Sequence, residues 1–325
     1  MSATGLKTWS ALSDRRKRPT EYELVTHGLH YRTRNPDAPY ELDPNLFMNL
    51  WYKTHVNAAK LQHDDWDDFR DPDAVIYRTY TALQDTNEGY VDTLLDEHDR
   101  AGYDAGLSAE WVAALARLYT PARYALHTLQ MSSAYLAQMA PGSTMTNCAV
   151  FQEADAFRWL CRTAYRTCEL RKRFPQAGFG AERAVWEEDA AWQGVRELME
   201  RTLVAYDWDE HLVALTLVAK PAIDEACVRQ LGAAARASGD SLLAMLHDAQ
   251  WRDVERARRW TSALMHYACT RDGNAAIIDA FLAKWVPLGE RAIAAYCAAL
   301  PGRPDAAATA IAATRAFRSE LGFTH

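Results

Sequence analysis

Glu153 and Asp155 lie two residues apart in a helical run, and Gln130 lies on the run before it. Carboxylates pointing inward from paired long helices are the donors of a carboxylate-bridged di-metal bundle. In such a bundle two helices each give a Glu and two each give a Glu-x-x-His. The spacing matters because one helical turn brings both ligands to one metal. The ten histidines are His27, His30, His55, His63, His98, His127, His211, His247, His266 and His325. None has Glu three residues before it, which argues against a di-iron site. His27-x-x-His30 has metal-compatible spacing but no nearby Cys, so packing or hydrogen bonding is the preferred reading. His127 reads as a satisfied core histidine. Glu153 and Asp155 could be catalytic carboxylates with raised pKa values. Burial beside an Arg such as Arg158 or Arg162 is preferred. Gly-x-Ser-x-Gly, the Walker loop and Gly-x-Gly-x-x-Gly do not occur, so nothing cradles a phosphate or a dinucleotide.

The elements that must position these residues are helical. From Pro121 to Pro175 apolar residues recur at three- and four-residue steps, and Pro141-Gly142 divides the run. This predicts two helices, each on the order of 30 Å long, with Ser143 or Thr144 capping the second. Tyr124, Leu129, Met131 and Tyr135 are assigned to the inner face of the first. Val150, Phe157, Cys161, Tyr165 and Cys168 fall among those of the second. Further helices are expected over 73–100, 109–119 with Ser108 as cap, 187–206, and 210–236 with a kink at Pro221. Others run over 241–269 capped by Ser241, 274–300 interrupted near Pro287, and 304–321. No alternating strand pattern appears.

Residues 1–72 differ. They hold five of the twelve prolines and unpatterned aromatics, which predicts an irregular arm lying on a protein surface, either the chain's own bundle or a partner's. Residues 73–325 are expected to form the helical domain. The run Arg15-Arg16-Lys17-Arg18 reads as solvated surface. A net charge of −7 and pI near 5.8 disfavour nucleic acid. The six cysteines include no Cys-x-x-Cys and read mostly as small buried thiols in a reducing cytoplasm. No apolar run is long enough to span a bilayer and no signal peptide is evident, so neither a membrane nor export is expected.

Eight segments are specific in their wording: TWSALSDRRKRPTEYELVTHGLHY at 8–31, NPDAPYELDP at 35–44, MNLWYK at 48–53 and YRTYTALQD at 77–85, then LHTLQMSSAYLAQMAP at 126–141, RWLCRTAYRTCEL at 158–170, WQGVRELME at 192–200 and DAQWRDVERARRW at 248–260. Together they resemble the β subunit of the hydroxylase component of bacterial multicomponent monooxygenases, nearest the toluene and benzene enzymes. The resemblance implies an all-α, ferritin-like (ribonucleotide-reductase-like) bundle with an extended N-terminal arm. It also implies a non-catalytic subunit with no metal or cofactor site of its own, supporting a di-iron α subunit that hydroxylates an aromatic ring with O₂. Glu153 stands at the Glu of the first Glu-x-x-His and Ala156 at its His; Val254 and Ala257 take the second pair. The implied partners are α and γ subunits in an α₂β₂γ₂ assembly, with a Rieske ferredoxin, an NADH reductase and a small effector. Candidate interface residues are Trp9, Tyr22, His30, Tyr31, Tyr40, Trp51 and Tyr52. A phenol or alkene branch is the alternative within the family. Outside it stand an autonomous di-iron enzyme, which iron analysis would reveal, and a free-standing scaffold, which co-purification would reveal.

Overall fold

The computed structural model describes residues 18–29 and 45–325. Trp9, His30, Tyr31 and Tyr40, and the basic run before Arg18, lie outside them. Helices α1 (Glu21–Thr26) and α2 (Phe47–Tyr52) precede α3 (Tyr77–Arg100) and α4 (Ala109–Ala114). The hairpin follows as α5 (Ala122–Met139) and α6 (Ser143–Arg173), then α7 (Glu182–Glu188), α8 (Ala190–Leu203) and α9 (Trp208–Val213). After α10 (Lys220–Ile223) and α11 (Leu231–Ala237) come α12 (Ser241–Ala268), α13 (Asn274–Ala298) and α14 (Ala306–Glu320). Among the described residues there is no β-strand.

The expected helices are present, and their ends show which local signals prevailed. Ser108 accepts the Trp111 N–H as anticipated, 3.2 Å. The cap of α12 is Asp240 rather than Ser241, its carboxylate accepting from Leu243 N–H at 3.0 Å. The helix expected over 187–206 breaks at Asp189, which accepts the Ala191 N–H and grips Arg117. Neither Ser143 nor Thr144 caps α6. Asp67 accepts the Ser143 N–H at 2.9 Å, and the Ser143 hydroxyl donates to the Thr26 carbonyl at 2.6 Å. Around Pro221 the chain stays helical through two π-wound stretches, Ala214–Ala219 and Asp224–Gln230. Proline has no N–H to give to residue 217, and the Leu217 carbonyl is approached by Arg318 instead, at 3.4 Å. Pro287 does not interrupt α13. Ala283, whose carbonyl it leaves undonated, is on the solvent side.

The arm is divided in its loyalties. Leu61 and Phe69, each 1 % exposed, belong to the main core. The Lys60 and Leu61 N–H groups donate to Asp209, 2.7 and 2.9 Å, and Trp66 meets Trp208 edge-on, 5.2 Å between centroids. Tyr22 is buried on its own chain, its hydroxyl accepting from Asp71 N–H. It therefore presents little surface to a partner, contrary to its place among the candidate interface residues. Trp51 donates to the Tyr135 hydroxyl at 3.2 Å and Tyr52 to the Gln138 carbonyl at 3.3 Å, yet both remain half-exposed. The outer side of α2 leaves Leu46, Phe47, Met48 and Leu50 in solvent.

Candidate functional site

The polar centre of the bundle is built by two short segments with one pattern, Asp155-Ala156-Phe157-Arg158 on α6 and Asp253-Val254-Glu255-Arg256 on α12. Aspartate and arginine three residues apart on a helix share a face. Asp155, Asp253 and Arg256 are buried. Each aspartate pairs across to the other helix: Asp155 with Arg256, and Asp253 with Arg158 at 3.1 Å. The pairs within each helix are looser, 3.7 Å in both. Gln84 of α3 donates to both carboxylates, 2.9 Å to Asp155 and 3.0 Å to Asp253. The Tyr80 hydroxyl donates to Asp155 at 2.9 Å and the Trp159 indole N–H to Asp253 at 2.8 Å. On the α3 side Glu88 binds Arg158 at 2.6 Å and also Arg162. Buried charges persist only when paired and hydrogen-bonded, and here the acceptors are filled by donors on three helices.

Burial and the nearby Asp253 carboxylate push the Asp155 pKa up to about 7, against the pull of Arg256 and Arg158. Unfolded Asp titrates near 3.9, so the folded state binds the extra proton between about pH 4 and 7. The group's contribution to stability is thus greatest near pH 4 and is lost as pH rises through about 7. Buried His247, lowered to about 4 by desolvation, acts the opposite way, costing stability as pH falls below the usual histidine range. The two separate in a difference measurement. Wild type should lose stability relative to Asp155→Asn as pH rises from 4 to 7.5 in urea titrations; a flat difference would contradict the assignment.

The sequence reading of these residues holds in part. Asp155 is a buried ion-pair member near Arg158, but Arg256 is its closer partner. That partner was missed, although the repeated Asp-x-x-Arg could have pointed to it. Glu153 is half-buried and receives a hydrogen bond from Gln130 at 3.3 Å, with no arginine. His127 is exposed, beside Gln130, and is not a core histidine. His27 is buried with a ring nitrogen 2.8 Å from the Asp67 carbonyl; His30 lies outside the described residues. Cys148, Cys227 and Cys297 are buried, whereas Cys161 and Cys168 are exposed. They lie with Val150, Phe157 and Tyr165 on an outward apolar stripe of α6. Arg158 and Arg162 hold α3 on one flank of that stripe, and Glu153 holds α5 on the other. The helical period assigns these residues to the inside because the charged residues of α6, Asp155, Arg158, Arg162 and Arg166, turn toward neighbouring parts of the chain and leave an apolar stripe facing out.

The donor set does not fit a di-iron centre. Among the described residues no group of three or more His, Cys, Asp or Glu is disposed to hold a metal. Ala156, Val254 and Ala257 are buried apolar residues, and the carboxylate oxygens of Asp155 and Asp253 face guanidinium, amide, phenol and indole donors. The void beside them, about 10 Å³ and lined by Cys148, Gln152, Asp155, Arg256 and Ala257 among others, holds at most a water. Among the described residues no helix is long and apolar enough to cross a membrane.

A helical bundle with a buried ion-pair centre defines a ferritin-like protein, and comparison specifies its kin. Residues 49–272 match the methane/phenol/alkene hydroxylase family model, and the chain belongs to that family. It is 48% identical over 296 residues to the toluene-4-monooxygenase system hydroxylase component subunit beta of Ectopseudomonas mendocina, covering 91% of this chain and 90% of that one. Phenol 2-monooxygenase oxygenase component from Pseudomonas sp. strain CF600 is 24% identical over 88% of this chain and 86% of its own length. A solved structure of toluene 4-monooxygenase with toluene in its resting active site superposes with TM-score 0.87 at 48% identity, over 90% of this chain and 97% of that one. A phenol hydroxylase from Pseudomonas sp. OX1 shares the fold, TM-score 0.84 at 20% identity, over 98% of this chain and 95% of that one.

Proposed function

We propose that this chain is the non-catalytic β subunit of the hydroxylase component of an aromatic-hydrocarbon monooxygenase of the toluene type. The observation that carries the reading is the near-full-length 48% identity to a toluene-4-monooxygenase β subunit. The phenol-type relative stands at half that identity, which favours the toluene branch. The iron that activates O₂ belongs, on this reading, to a larger α subunit. This chain's own residues supply shape: the Asp155–Arg256 and Asp253–Arg158 pairs fix α6 against α12, and that rigid unit presents its outer faces. The assembly proposed is α₂β₂γ₂ in the cytoplasm, served by a Rieske ferredoxin, an NADH reductase and an effector protein.

Two apolar surfaces support a subunit role. Val150, Phe157 and Tyr165 on α6 are 41, 53 and 51% exposed, and Phe47 on α2 is 70% exposed. Contiguous apolar exposure of this kind marks protein interfaces. Trp51 and Tyr52 adjoin the α2 surface. With Trp9, His30, Tyr31 and Tyr40 they make up the arm's proposed share of the interface, and residues 1–72 are its proposed extent beside a helical domain of 73–325. The test is co-expression of the tagged chain with its α and γ partners. Wild type should bring down both; Phe157→Glu/Tyr165→Glu should lower recovery of α at least tenfold while keeping helical circular dichroism. Full recovery of α by the folded variant would remove this face from the interface. Failure of the wild-type chain to hold either subunit would overturn the subunit role.

A further inference from the structure

The central cluster has an approximate two-fold symmetry. The arginine of each Asp-x-x-Arg segment pairs with the aspartate of the other, and Gln84 donates to both aspartates at nearly equal distances. The symmetry equates Ala156 with Val254 and Trp159 with Ala257. Along each helix, Ala156 with Trp159 and Val254 with Ala257 have the i,i+3 spacing of Glu-x-x-His, and all four residues are 8% exposed or less. Glu153, the position the sequence favours, is half-buried, and its symmetry equivalent is the half-exposed Trp251.

A second observation concerns what surrounds these positions. A metal-bound histidine typically donates its remaining ring N–H to a carboxylate. At position 159 an aromatic N–H already does this, the Trp159 indole donating to Asp253 at 2.8 Å. At the equivalent position, Ala257 lines the same small void as Asp155. A ring at either position would reach the aspartate of the opposite helix.

We propose that Ala156, Trp159, Val254 and Ala257 stand at the four positions of two Glu-x-x-His pairs, one turn from the register that Glu153 suggests on α6. The crossed aspartate–arginine quartet is then the outer layer of a metal site that lacks its ligands, and it ties α6 to α12 where a metal would. This rests on reading the chain as the subunit without iron, and adds the register and the quartet's role.

The test is titration of the full-length chain with Co(II), followed by visible absorption. Ala156→Glu/Trp159→His/Val254→Glu/Ala257→His should bind about one Co(II) per chain, at least a hundredfold tighter than wild type. The register-shifted variant Ala156→His/Val254→Glu/Ala257→His, which uses native Glu153, should bind at least tenfold more weakly than the four-residue variant. Equal affinity of the two, or a folded four-residue variant no better than wild type, overturns the proposal. Should that variant fail to fold, the half-site Val254→Glu/Ala257→His keeps Trp159 and the quartet. It should bind at least tenfold tighter than Trp251→Glu/Val254→His, one turn away, and equal binding overturns the register. Adding Asp155→Asn to the half-site should cost about tenfold or more; no loss overturns the outer-layer role. Stoichiometric uptake by wild type would overturn the iron-free reading and this inference with it, whereas failure in the variants alone leaves the subunit assignment standing.

Discussion

Arg256→Ala is expected to destabilise the chain by about 3–5 kcal/mol at pH 8, the usual cost of removing one partner from a buried ion pair. Arg256 is 8% exposed and closes on an Asp155 that is 7% exposed, with Asp253 at 3.7 Å. Without the guanidinium two carboxylates share the interior with only Arg158 between them. Tyr80 also loses the cation over its ring, 5.1 Å from the centroid. Much of the loss is the penalty on the carboxylates left behind, so Asp155→Leu/Arg256→Met should recover part of it. Arg78→Ala, which breaks a solvent-exposed pair with Glu21, serves as the control and should barely move the urea midpoint. Equal effects of Arg256→Ala and Arg78→Ala would mean the central quartet contributes no more than a surface pair.

A loss of similar size, about 3–5 kcal/mol, is expected for Trp192→Ala, from apolar transfer and cavity formation. Trp192 is fully buried, its ring 5.0 Å from Tyr296 and 5.5 Å from Trp186. Its indole N–H donates to the Arg117 carbonyl at 2.8 Å. Collapse around the gap is restricted because Gly194, two residues on, already brings α8 against the α13 backbone. A Cβ there would lie 2.8 Å from the Ala292 Cα. Urea unfolding with near-ultraviolet circular dichroism reads the result; a cost below about 1.5 kcal/mol would show that the site relaxes freely.

The helical architecture was legible in the sequence because a 3.6-residue period is a local property. The α5–α6 hairpin, the Ser108 cap and the helix at the C-terminal side are all products of neighbours within a turn or two. What escaped depends on distant chain. Asp67 caps α6 from 76 positions away, and Arg256 meets Asp155 from 101. No window along the sequence contains both members. The side of α6 that faces solvent was misjudged for another reason. The helix's charged residues Asp155, Arg158, Arg162 and Arg166 pair with other parts of the chain rather than with water, so the usual polar-outward rule inverts and Phe157 and Tyr165 are left exposed. Of the centre, the sequence marks Asp155 as an ion-pair member but gives Glu153 equal standing, because both border the apolar stripe; two residues apart on a helix they face nearly opposite sides, Glu153 toward α5 and Asp155 toward α12.

The Asp67 cap has a consequence for the order of folding. The α5–α6 hairpin is held by contacts near in sequence and is expected to form early. Its junction cannot close in the same way. The first N–H of α6 waits for Asp67, and Gly142 is where the chain passes Trp66 so closely that an added Cβ would stand 2.6 Å from the Trp66 carbonyl oxygen. Bringing residues 66 and 67 to that junction closes a long loop and incurs its entropy. The start of α6 is therefore expected to gain protection from hydrogen exchange later than its middle, at the moment the segment before α3 arrives. The bend of the hairpin thus serves as a latch that reports when the amino-terminal part of the chain has docked.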